Sequence, residues 1–406
     1  MKVLLISASY HPVLGGLQTV TRQLARSLSE NGHEVKVVTN RYPRSLPALE
    51  TVDGIGVERW PFLYPSTDAL LARRLDLALA GAYYNPAAVV RLARLAARFN
   101  PDVVNVHFPE ARLGFVLRVR RRFPFRLVVS LHGDEIERWF KDTEARPPQA
   151  HRNLNRLREF LRSADAVTAC SQYLLNRASA LEPSISGKAR VIYNGCDSSR
   201  FTDRRAFSHP RPYLLAYGRH TYKKGFDLLL KAFAILAERI PGTDLILAGE
   251  GEQSQELAAL REALGLRDRV ILYGRANPEE VIHLLNGCRL VVIPSREEPF
   301  GIVAMEAIAS GRPVVATRAG GLPEVVAAAT ASHSGNTPLA EWAEPEPQDL
   351  AGSILRALSR PHSRAGSPPL CPGVSVADMT RRYAAVLSGM PDPRAAEAGS
   401  HSRAAC

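Results

Sequence analysis

The stretch LVVIPSREEPFGIVAMEA, residues 290–307, joins a short apolar run to a polar turn and then to the expected start of a helix. Leu290–Ile293 is apolar throughout, which is typical of a parallel strand covered on both faces. Gly301, after two prolines, marks the point where a helix is expected to begin. The stretch therefore predicts a strand, a loop and a helix in succession, the unit from which α/β domains are built.

The same alternation runs along most of the chain. Apolar runs predict strands at residues 3–7, 35–39, 103–107, 127–131, 166–169 and 189–193, and again at 213–217, 244–248, 270–273, 290–293 and 314–317. Helical patterns lie between them, and strands that alternate with helices form parallel sheets. The sequence thus predicts two Rossmann-like α/β domains.

The predicted boundaries follow the two sets of strands. Residues 1–195 form an N-terminal domain, 196–211 an interdomain linker and 212–375 a C-terminal domain. Residues 376–390 form a final helix, for which packing back on the N-terminal domain is one alternative. Residues 391–406 are expected to be a disordered tail.

Composition excludes several classes of protein. The five cysteines are scattered and include no C-x-x-C pair, which indicates free thiols in a reducing compartment and neither a disulfide framework nor a zinc site. The apolar run at the amino terminus is too short for a signal peptide, and no run is long enough for a membrane span. These features predict a cytoplasmic protein.

Candidate site residues come from the loops after the strands, where ligands bind in open α/β sheets. Gly15 and Gly16 precede a helix, so their amides can approach an anion, although a tight turn needs such glycines anyway. Gly218, Arg219 and Lys224 follow the first strand of the second half. Two cations in one short loop can neutralise a diphosphate; a solvated turn is the alternative.

The loop after residue 293 is the most specific of these sites. The amides of Phe300, Gly301 and Ile302 lie at a helix start and are available as donors. Glu298 and Glu306 are separated by seven residues, and carboxylates accept hydrogen bonds from sugar hydroxyls such as those of a ribose. The alternatives are a helix-terminal acid for Glu298 and an exposed helix position for Glu306.

Several motifs taken together resemble glycosyltransferase family 4. The stretch 295–316 has the Glu–seven–Glu spacing, Phe300-Gly301 and a following GRPVVA. The remaining matches are Gly15-Gly16, Arg219 with Lys224-Gly225, Asn194-Gly195-Cys196-Asp197, Gly249-Glu250-Gly251 and Gly320-Gly321-Leu322-Pro323-Glu324. They cover residues 1–330 in the family's order and spacing.

The resemblance implies a GT-B architecture, in which the two domains face each other across a cleft. It also implies a nucleotide-sugar donor, which is a substrate rather than a cofactor, and retention of anomeric configuration. Its implied catalytic residues are Arg219 and Lys224 at the diphosphate, Glu298 at the donor sugar and His132. The implied donor-binding residues are Gly15, Gly16, Gly218, Gly249, Gly274, Arg275, Phe300, Gly301, Ile302 and Glu306.

His132 ends a predicted strand of the first half and matches the family's active-site histidine. Without the resemblance, a single histidine at a strand end is more often structural. The neighbouring Asp134 and Glu135 have two alternatives, contact with the acceptor or capping of the following helix.

The expected reaction is transfer of a sugar to a hydroxyl acceptor without a metal ion, since no Asp-x-Asp motif occurs. The flank at residues 327–337 departs from the family pattern, being rich in alanine and serine. Alternatives are a nucleotide-sugar epimerase of the same fold, a non-catalytic sugar-nucleotide-binding protein, and an oxidoreductase, although a clean G-x-G-x-x-G is missing.

The charge is distributed unevenly. The formal net charge is +12; residues 1–200 hold 29 Lys and Arg against 18 Asp and Glu, so +11 lies in this half. The basic residues cluster in two groups, Arg73, Arg74, Arg91, Arg94 and Arg98, and Arg118, Arg120, Arg121, Arg122 and Arg126. Amphipathic helices in region 69–99 predict an anionic membrane surface as partner and a lipid-linked acceptor; inward-packed leucines with solvated arginines are the alternative. Nothing resembles a nucleic-acid-binding module.

Overall fold

A computed structural model describes residues 1–13, 15–63, 75–140, 148–201, 205–331, 339–360 and 372–391. The chain forms two compact units. Unit 1 is Met1–Gly195 joined by the segment that begins at Val376, and unit 2 is Cys196–Ser375. Each is an α/β unit around a largely parallel sheet, as the sequence predicts.

Unit 1 contains, in its described part, a sheet in the order β3-β4-β2-β1-β5-β6-β7-β8. Its strands are β1 (Lys2–Ser7), β2 (Glu34–Asn40), β3 (Leu49–Val52), β4 (Ile55–Trp60), β5 (Val103–His107), β6 (Arg126–Leu131), β7 (Ala166–Ala169) and β8 (Ala189–Val191). Its helices before residue 195 are α1 (Gly16–Glu30), α2 (Leu75–Phe99), α3 (Phe115–Arg120), α4 (Asp134–Glu137), α5 (Pro148–Ser163) and α6 (Gln172–Leu181). The strand interiors are buried on both faces, which explains their unbroken apolar runs.

The hairpin of β3 and β4 is missing from the sequence prediction. The two strands pair antiparallel, and Asp53 and Gly54 connect them with φ angles of 52° and 77°. A two-residue Asp-Gly connection with both φ angles positive is a strong hairpin signal. The signal was therefore present, but these strands alternate in burial and lack the continuous apolar run of their neighbours.

Unit 2 contains an all-parallel sheet in the order β11-β10-β9-β12-β13-β14. Its strands are β9 (Tyr213–Tyr217), β10 (Asp244–Ala248), β11 (Val270–Gly274), β12 (Leu290–Ile293), β13 (Val314–Thr317) and β14 (Ala340–Ala343). Its helices are α7 (Phe226–Leu236), α8 (Ser254–Ala263), α9 (Pro278–Gly287), α10 (Ile302–Ala309), α11 (Leu322–Thr330) and α12 (Pro347–Ser359). The strand order reverses direction between β9 and β12, and ligands bind at such a switch point beyond the carboxyl ends of the strands.

The core of unit 2 lies between its sheet and the helices α7 and α12. Phe233 of α7 and Ile354 of α12 are both fully buried beside Leu245 and Leu247 of β10. The sequence prediction stopped near residue 330 and missed β14 and α12. β14 is an edge strand whose first three residues are only partly buried, so it lacks an apolar run.

One predicted boundary differs from the structure. The segment 196–211 was predicted as a linker, but its described residues pack within unit 2. Phe201 is buried, the Phe207 amide donates to the His283 carbonyl at 2.8 Å, and His209 Nε2 lies 2.7 Å from Asp244 Oδ2. The final helix, α13 (Val376–Ser388), packs on α1 in unit 1 and buries Tyr383 and Leu387.

Residues 392–406, where a disordered tail was predicted, lie outside the described residues, as do Arg73 and Arg74. Among the helices that the structure describes, none combines the length and apolarity needed to cross a bilayer.

Candidate active site

Three glycines lie side by side where β9, β10 and β11 end. The Gly218 amide donates to the Ala248 carbonyl at 2.9 Å, and the Gly249 amide donates to the Gly274 carbonyl at 2.7 Å. Gly249 has a φ of +135°, and a Cβ atom there would lie 1.9 Å from the Gly218 carbonyl oxygen. Only glycine allows the two turns to approach so closely. Arg275, next along the chain, is exposed.

The loops after β9 and β12 are braced against each other across the switch point. Gly225, in the loop after β9, has a φ of +65° and lies very close to the loop after β12. A Cβ atom on Gly225 would lie 2.0 Å from the Pro294 carbonyl oxygen. Arg296 binds both carboxylate oxygens of Asp227, at 2.7 Å each. A bidentate pair of this kind is rigid as well as strong, so the loops that carry the candidate residues are held in place.

Lys224 and Glu298 meet in this braced region. Lys224 Nζ lies 2.5 Å from Glu298 Oε2, and the Glu298 side chain is 9% exposed. The Gly321 amide donates to the Glu298 carbonyl at 2.8 Å, which ties the loop after β13 to the same place. Arg219 differs from Lys224, because it is exposed and has no side-chain partner among the described residues.

Glu306 faces β9 from the helix α10. Its Oε2 accepts a hydrogen bond from the Tyr217 hydroxyl at 2.7 Å. Burial raises the pKa of Glu306, and the hydrogen bond from Tyr217 acts in the opposite direction, as does the nearby Arg200 charge. Burial beside Glu306 also raises the pKa of Tyr217 well above its usual value, so the hydroxyl remains a donor.

The start of α10 supplies backbone donors between the two glutamates. Gly301 caps the helix with a φ of +108°, and Ile302 is its first residue. The first amides of a helix have no acceptor within the helix, and its dipole favours an anion there. Phe300 is buried beside this turn. The arrangement combines cations, amides and carboxylates, which suits a ligand with both phosphates and hydroxyl groups.

Gly15, Gly16 and His132 belong to unit 1. Gly15 is extended, with φ 162° and ψ 164°, and α1 begins at Gly16, one residue earlier than predicted. His132 follows β6, and its Nε2 lies 2.9 Å from Nδ1 of His107, the last residue of β5. Burial lowers the pKa of His132 to about 4, so its ring is neutral at pH 7.

Glu135 has a structural role in the same loop. Its carboxylate accepts hydrogen bonds from the His132 amide at 2.5 Å and from the Gly133 amide at 3.0 Å. Burial raises the pKa of Glu135 to about 7, although hydrogen bonds from the amides of His132 and of Glu135 itself favour its charged form. Glu135 lies in the first turn of α4 and binds the two backbone amides that precede the helix, whereas Gly133, the N-cap residue, has no side-chain cap.

Tyr217 and His107 were not singled out from the sequence, although each is the last residue of a predicted strand. Carboxyl ends of parallel strands are where ligands bind, so the positions themselves were a signal. Their hydrogen-bond partners could not be predicted from the sequence, because Tyr217 is 89 residues from Glu306 and His107 is 25 residues from His132.

Known proteins match this chain along both units. The model for glycosyltransferase family 4 matches residues 14–200, and the model for glycosyl transferases group 1 matches residues 197–366. An uncharacterized glycosyltransferase of Methanocaldococcus jannaschii is 29% identical over 88% of this chain and 89% of its own. The glycogen synthase of Mycobacterium tuberculosis is 30% identical over 80% of each chain.

A solved structure shows the same fold. Anabaena HepE in complex with UDP-glucose superposes with a TM-score of 0.69 at 22% identity, covering 96% of this chain and all of its own. Such neighbours are GT-B glycosyltransferases, and the two parallel-sheet units are those of that fold. The relative that is 30% identical over 80% of each chain, the two family models and the GT-B fold together show that this chain is a glycosyltransferase and belongs to glycosyltransferase family 4.

Proposed function

We propose that the protein transfers a hexosyl group from a nucleotide sugar to a hydroxyl acceptor with retention of configuration and without a metal ion, in glycan, polysaccharide or glycolipid biosynthesis. The observation that carries the proposal is the pair of glutamates about the start of α10, Glu298 and Glu306. Each is held by a group from the β9 side, Lys224 and Tyr217 respectively. This arrangement supports binding of sugar hydroxyls by the two carboxylates and of a phosphate by the helix start between them.

The diphosphate of the donor fits the cations of this site. Arg219 is exposed, and the Lys224 side chain is 27% exposed although it is bound to Glu298. A departing nucleoside diphosphate needs its charge stabilised, and fixed cations and helix amides supply this. The complex of UDP-glucose with the similarly folded Anabaena protein supports a nucleotide-sugar donor for this chain.

The surroundings of His132 support front-face displacement, rather than double displacement, as the route to the proposed retention. A double displacement needs a carboxylate nucleophile, and two carboxylates, Asp134 and Glu135, follow His132 closely in the chain. Glu135 is the one bound to the backbone of this loop. It is 2% exposed and accepts two backbone amides, so it is not available to attack a sugar. The leaving phosphate is then the base that takes the acceptor proton.

The deciding experiment is a donor screen followed by product analysis. Nucleoside diphosphates and their sugars should raise the melting temperature of the full chain, because they bind only the folded state. Transfer with the best donor should persist in chelator, and NMR of the product should show the donor's own anomeric configuration. An inverted product, or loss of activity in chelator, contradicts the corresponding part of the proposal. Epimerised donor without acceptor favours an epimerase instead.

The acceptor is proposed to be lipid-linked and reached at an anionic membrane surface. In α2, Leu75, Leu79 and Tyr83 follow at four-residue spacing and are 66%, 74% and 72% exposed. Arg91 and Arg94 are exposed in the second half of the same helix. An apolar face beside exposed cations matches a bilayer with anionic headgroups. Leu92 and Leu95 of the same helix are fully buried, so these two leucines pack inward and do not belong to the exposed apolar face.

Vesicle co-sedimentation tests the membrane surface. Anionic vesicles should bind the protein at low salt and release it at high salt. Replacing Arg91 and Arg94 with Gln should weaken binding by about 2 kcal/mol, or roughly thirtyfold, since each basic residue contributes about 1 kcal/mol. The matched control replaces Arg239 and Arg267, two exposed arginines of unit 2, with Gln. An equal loss of vesicle binding in both double variants contradicts the proposal. So does a wild-type protein that does not bind anionic vesicles at low salt.

A further inference from the structure

Two histidines are joined directly at the carboxyl edge of the sheet in unit 1. His107 ends β5, and β6 pairs with it in register, His107 opposite Ser130, so that His132 lies just beyond. His107 Nδ1 and His132 Nε2 are 2.9 Å apart, and the two ring planes are inclined by 23°. This is a hydrogen bond between imidazoles, and it requires a proton on one of the two nitrogens.

Both rings are neutral at pH 7, so each carries a single proton. Burial lowers the pKa of His132 to about 4, and burial lowers the pKa of His107 well below its usual value. A neutral imidazole has one donor and one acceptor nitrogen. The tautomer of one ring therefore determines the tautomer of the other.

Two arrangements are possible: His107 Nδ1 donates to His132 Nε2, or His132 Nε2 donates to His107 Nδ1. The surroundings of His107 Nε2 decide between them. This nitrogen is buried and has no hydrogen-bond partner among the described residues. A proton there would be a buried donor without an acceptor, and such orphaned N–H groups are rarer than unmatched acceptors. With its proton on Nδ1, His107 instead donates to His132 Nε2 and leaves only a lone pair unmatched.

We propose that His107 is a positioning residue that holds His132 in the tautomer protonated at Nδ1. His132 then presents a hydrogen-bond donor to an oxygen of the reacting sugar and does not act as a base. The contact with the sugar rests on the proposed function; the tautomer does not.

The last helix of the chain supports this arrangement. The Tyr383 ring of α13 lies 6.2 Å from the His107 ring, with an interplanar angle of 27°. The Tyr383 hydroxyl is 3.3 Å from Thr168 Oγ1, which donates to Ser130 Oγ at 2.8 Å. The Tyr383 hydroxyl is thus held by Thr168, and its ring lies nearly parallel to that of His107.

Nitrogen NMR of the full chain labelled in histidine tests the tautomer without any substrate. Correlations between the ring nitrogens and the ring carbon-bound protons distinguish a protonated nitrogen from an unprotonated one. The signals that disappear in His132→Gln are those of the His132 ring. We expect Nδ1 protonated and Nε2 unprotonated on His132 at pH 7. A His132 ring protonated at Nε2 overturns the inference.

Two substitutions of His107 test whether the tautomer of His132 affects the rate of sugar transfer. Asn carries an amide donor close to the position of Nδ1, whereas Phe fills the space without a donor. We expect His107→Phe to lower kcat about tenfold or more with the KM for the donor unchanged, and to mix the tautomers of His132. His107→Asn should recover most of kcat and the single tautomer. Equal kcat in both variants contradicts the positioning role.

The two proposals fail in distinguishable ways. If His132→Ala leaves kcat unchanged while the wild-type ring is protonated at Nδ1, the catalytic role of His132 in the proposed function is wrong and the tautomer stands. If the ring is protonated at Nε2 while His132→Ala abolishes transfer, the inference about His107 is wrong and the proposed function stands.

Discussion

Arg219 and Lys224 occupy the same loop, but their side chains have different surroundings. Lys224 is bound to the buried carboxylate of Glu298, whereas Arg219 is exposed and has no partner among the described residues. A cation that already neutralises a buried carboxylate contributes to folding as well as to ligand binding. We therefore expect Lys224 to act in both stability and ligand binding and Arg219 to act in ligand binding alone, although the sequence assigns the same role to both.

Removing Lys224 should cost stability as well as activity, and removing Arg219 only activity. Lys224→Ala leaves Glu298 buried without its partner, so the free energy of unfolding should fall by about 1.5–3 kcal/mol. Arg219→Ala serves as the matched control and should unfold like the wild type in urea. Both variants should lose at least about tenfold in kcat/KM, the effect of one charge-assisted bond. Full activity in the double variant contradicts the site, and equal stability of the two single variants contradicts the role of the ion pair.

Glu306 should make donor binding depend on pH. Its pKa is raised by burial, so on acidification the carboxylate gains its proton at a higher pH than an ordinary glutamate, and affinity for a ribose hydroxyl falls there. Tyr217→Phe removes the hydrogen bond that lowers this pKa, so the loss of affinity should begin at a still higher pH. Calorimetric titration of a nucleoside diphosphate across mildly acidic pH measures this.

Glu306→Gln is the control for this titration, because its amide does not titrate. Its affinity should be lower than that of the wild type and should keep only the pH dependence that comes from the ligand's own phosphate. Superimposable pH profiles for wild type and Tyr217→Phe would show that the hydroxyl does not act on the carboxylate.

Among the elements, the loops after β9, β10 and β12 are shaped by close backbone contacts more than by side chains. Gly249 approaches the carbonyl of Gly218, and Gly225 approaches that of Pro294, both with positive φ. Arg296 and Asp227 then lock the two loops of the switch point together. Rigid loops hold a site more accurately than mobile ones, which is what positioning of a reacting sugar requires.

Gly249→Ala should therefore disrupt the site from a position that carries no functional side chain. Its Cβ atom would lie 1.9 Å from the Gly218 oxygen at a φ of +135°, so the turns must separate. We expect a stability loss of about 1–3 kcal/mol, the range for strained backbone, and weaker nucleotide binding. Gly242→Ala is the control, since a Cβ atom there meets open space. Chemical denaturation and nucleotide titration of both variants check this, and a neutral Gly249→Ala contradicts it.

At the scale of the whole molecule, each unit has its own sheet and its own buried core. The candidate groups for the nucleoside diphosphate, namely Arg219, Lys224, the start of α10 and Glu306, all belong to unit 2. The stabilisation by such a ligand should therefore appear first in the amides of that unit.

Hydrogen exchange with and without a nucleoside diphosphate measures this distribution. At a ligand concentration one hundred times Kd, stabilisation is about 2.7 kcal/mol, and it should appear in the loop of Gly218–Gly225 and the start of α10. The strands of unit 1 should exchange at nearly unchanged rates. Arg219→Ala combined with Lys224→Ala should remove the protection. Protection confined to unit 1 contradicts the placement of the nucleotide.

The amino-acid sequence alone determined the parallel strands, the glycines after them and the order of the family motifs. These features depend on residues close together in the chain, such as the apolar run of β12 followed by Gly301, so local preference makes them readable. The partly buried edge strand β14 and the alternating β3–β4 hairpin gave weaker apolar patterns and were missed.

Only the tertiary structure decided which side chains meet. Lys224 is 74 residues from Glu298, Tyr217 is 89 from Glu306, and Tyr383 is 215 from Thr168. Such pairs are created by strand order and register, which bring distant strand ends to one edge of a sheet and leave no mark in the neighbouring sequence. For the same reason, the family resemblance identifies His132 as a candidate, and only the pairing of β5 with β6 supplies His107 as its partner.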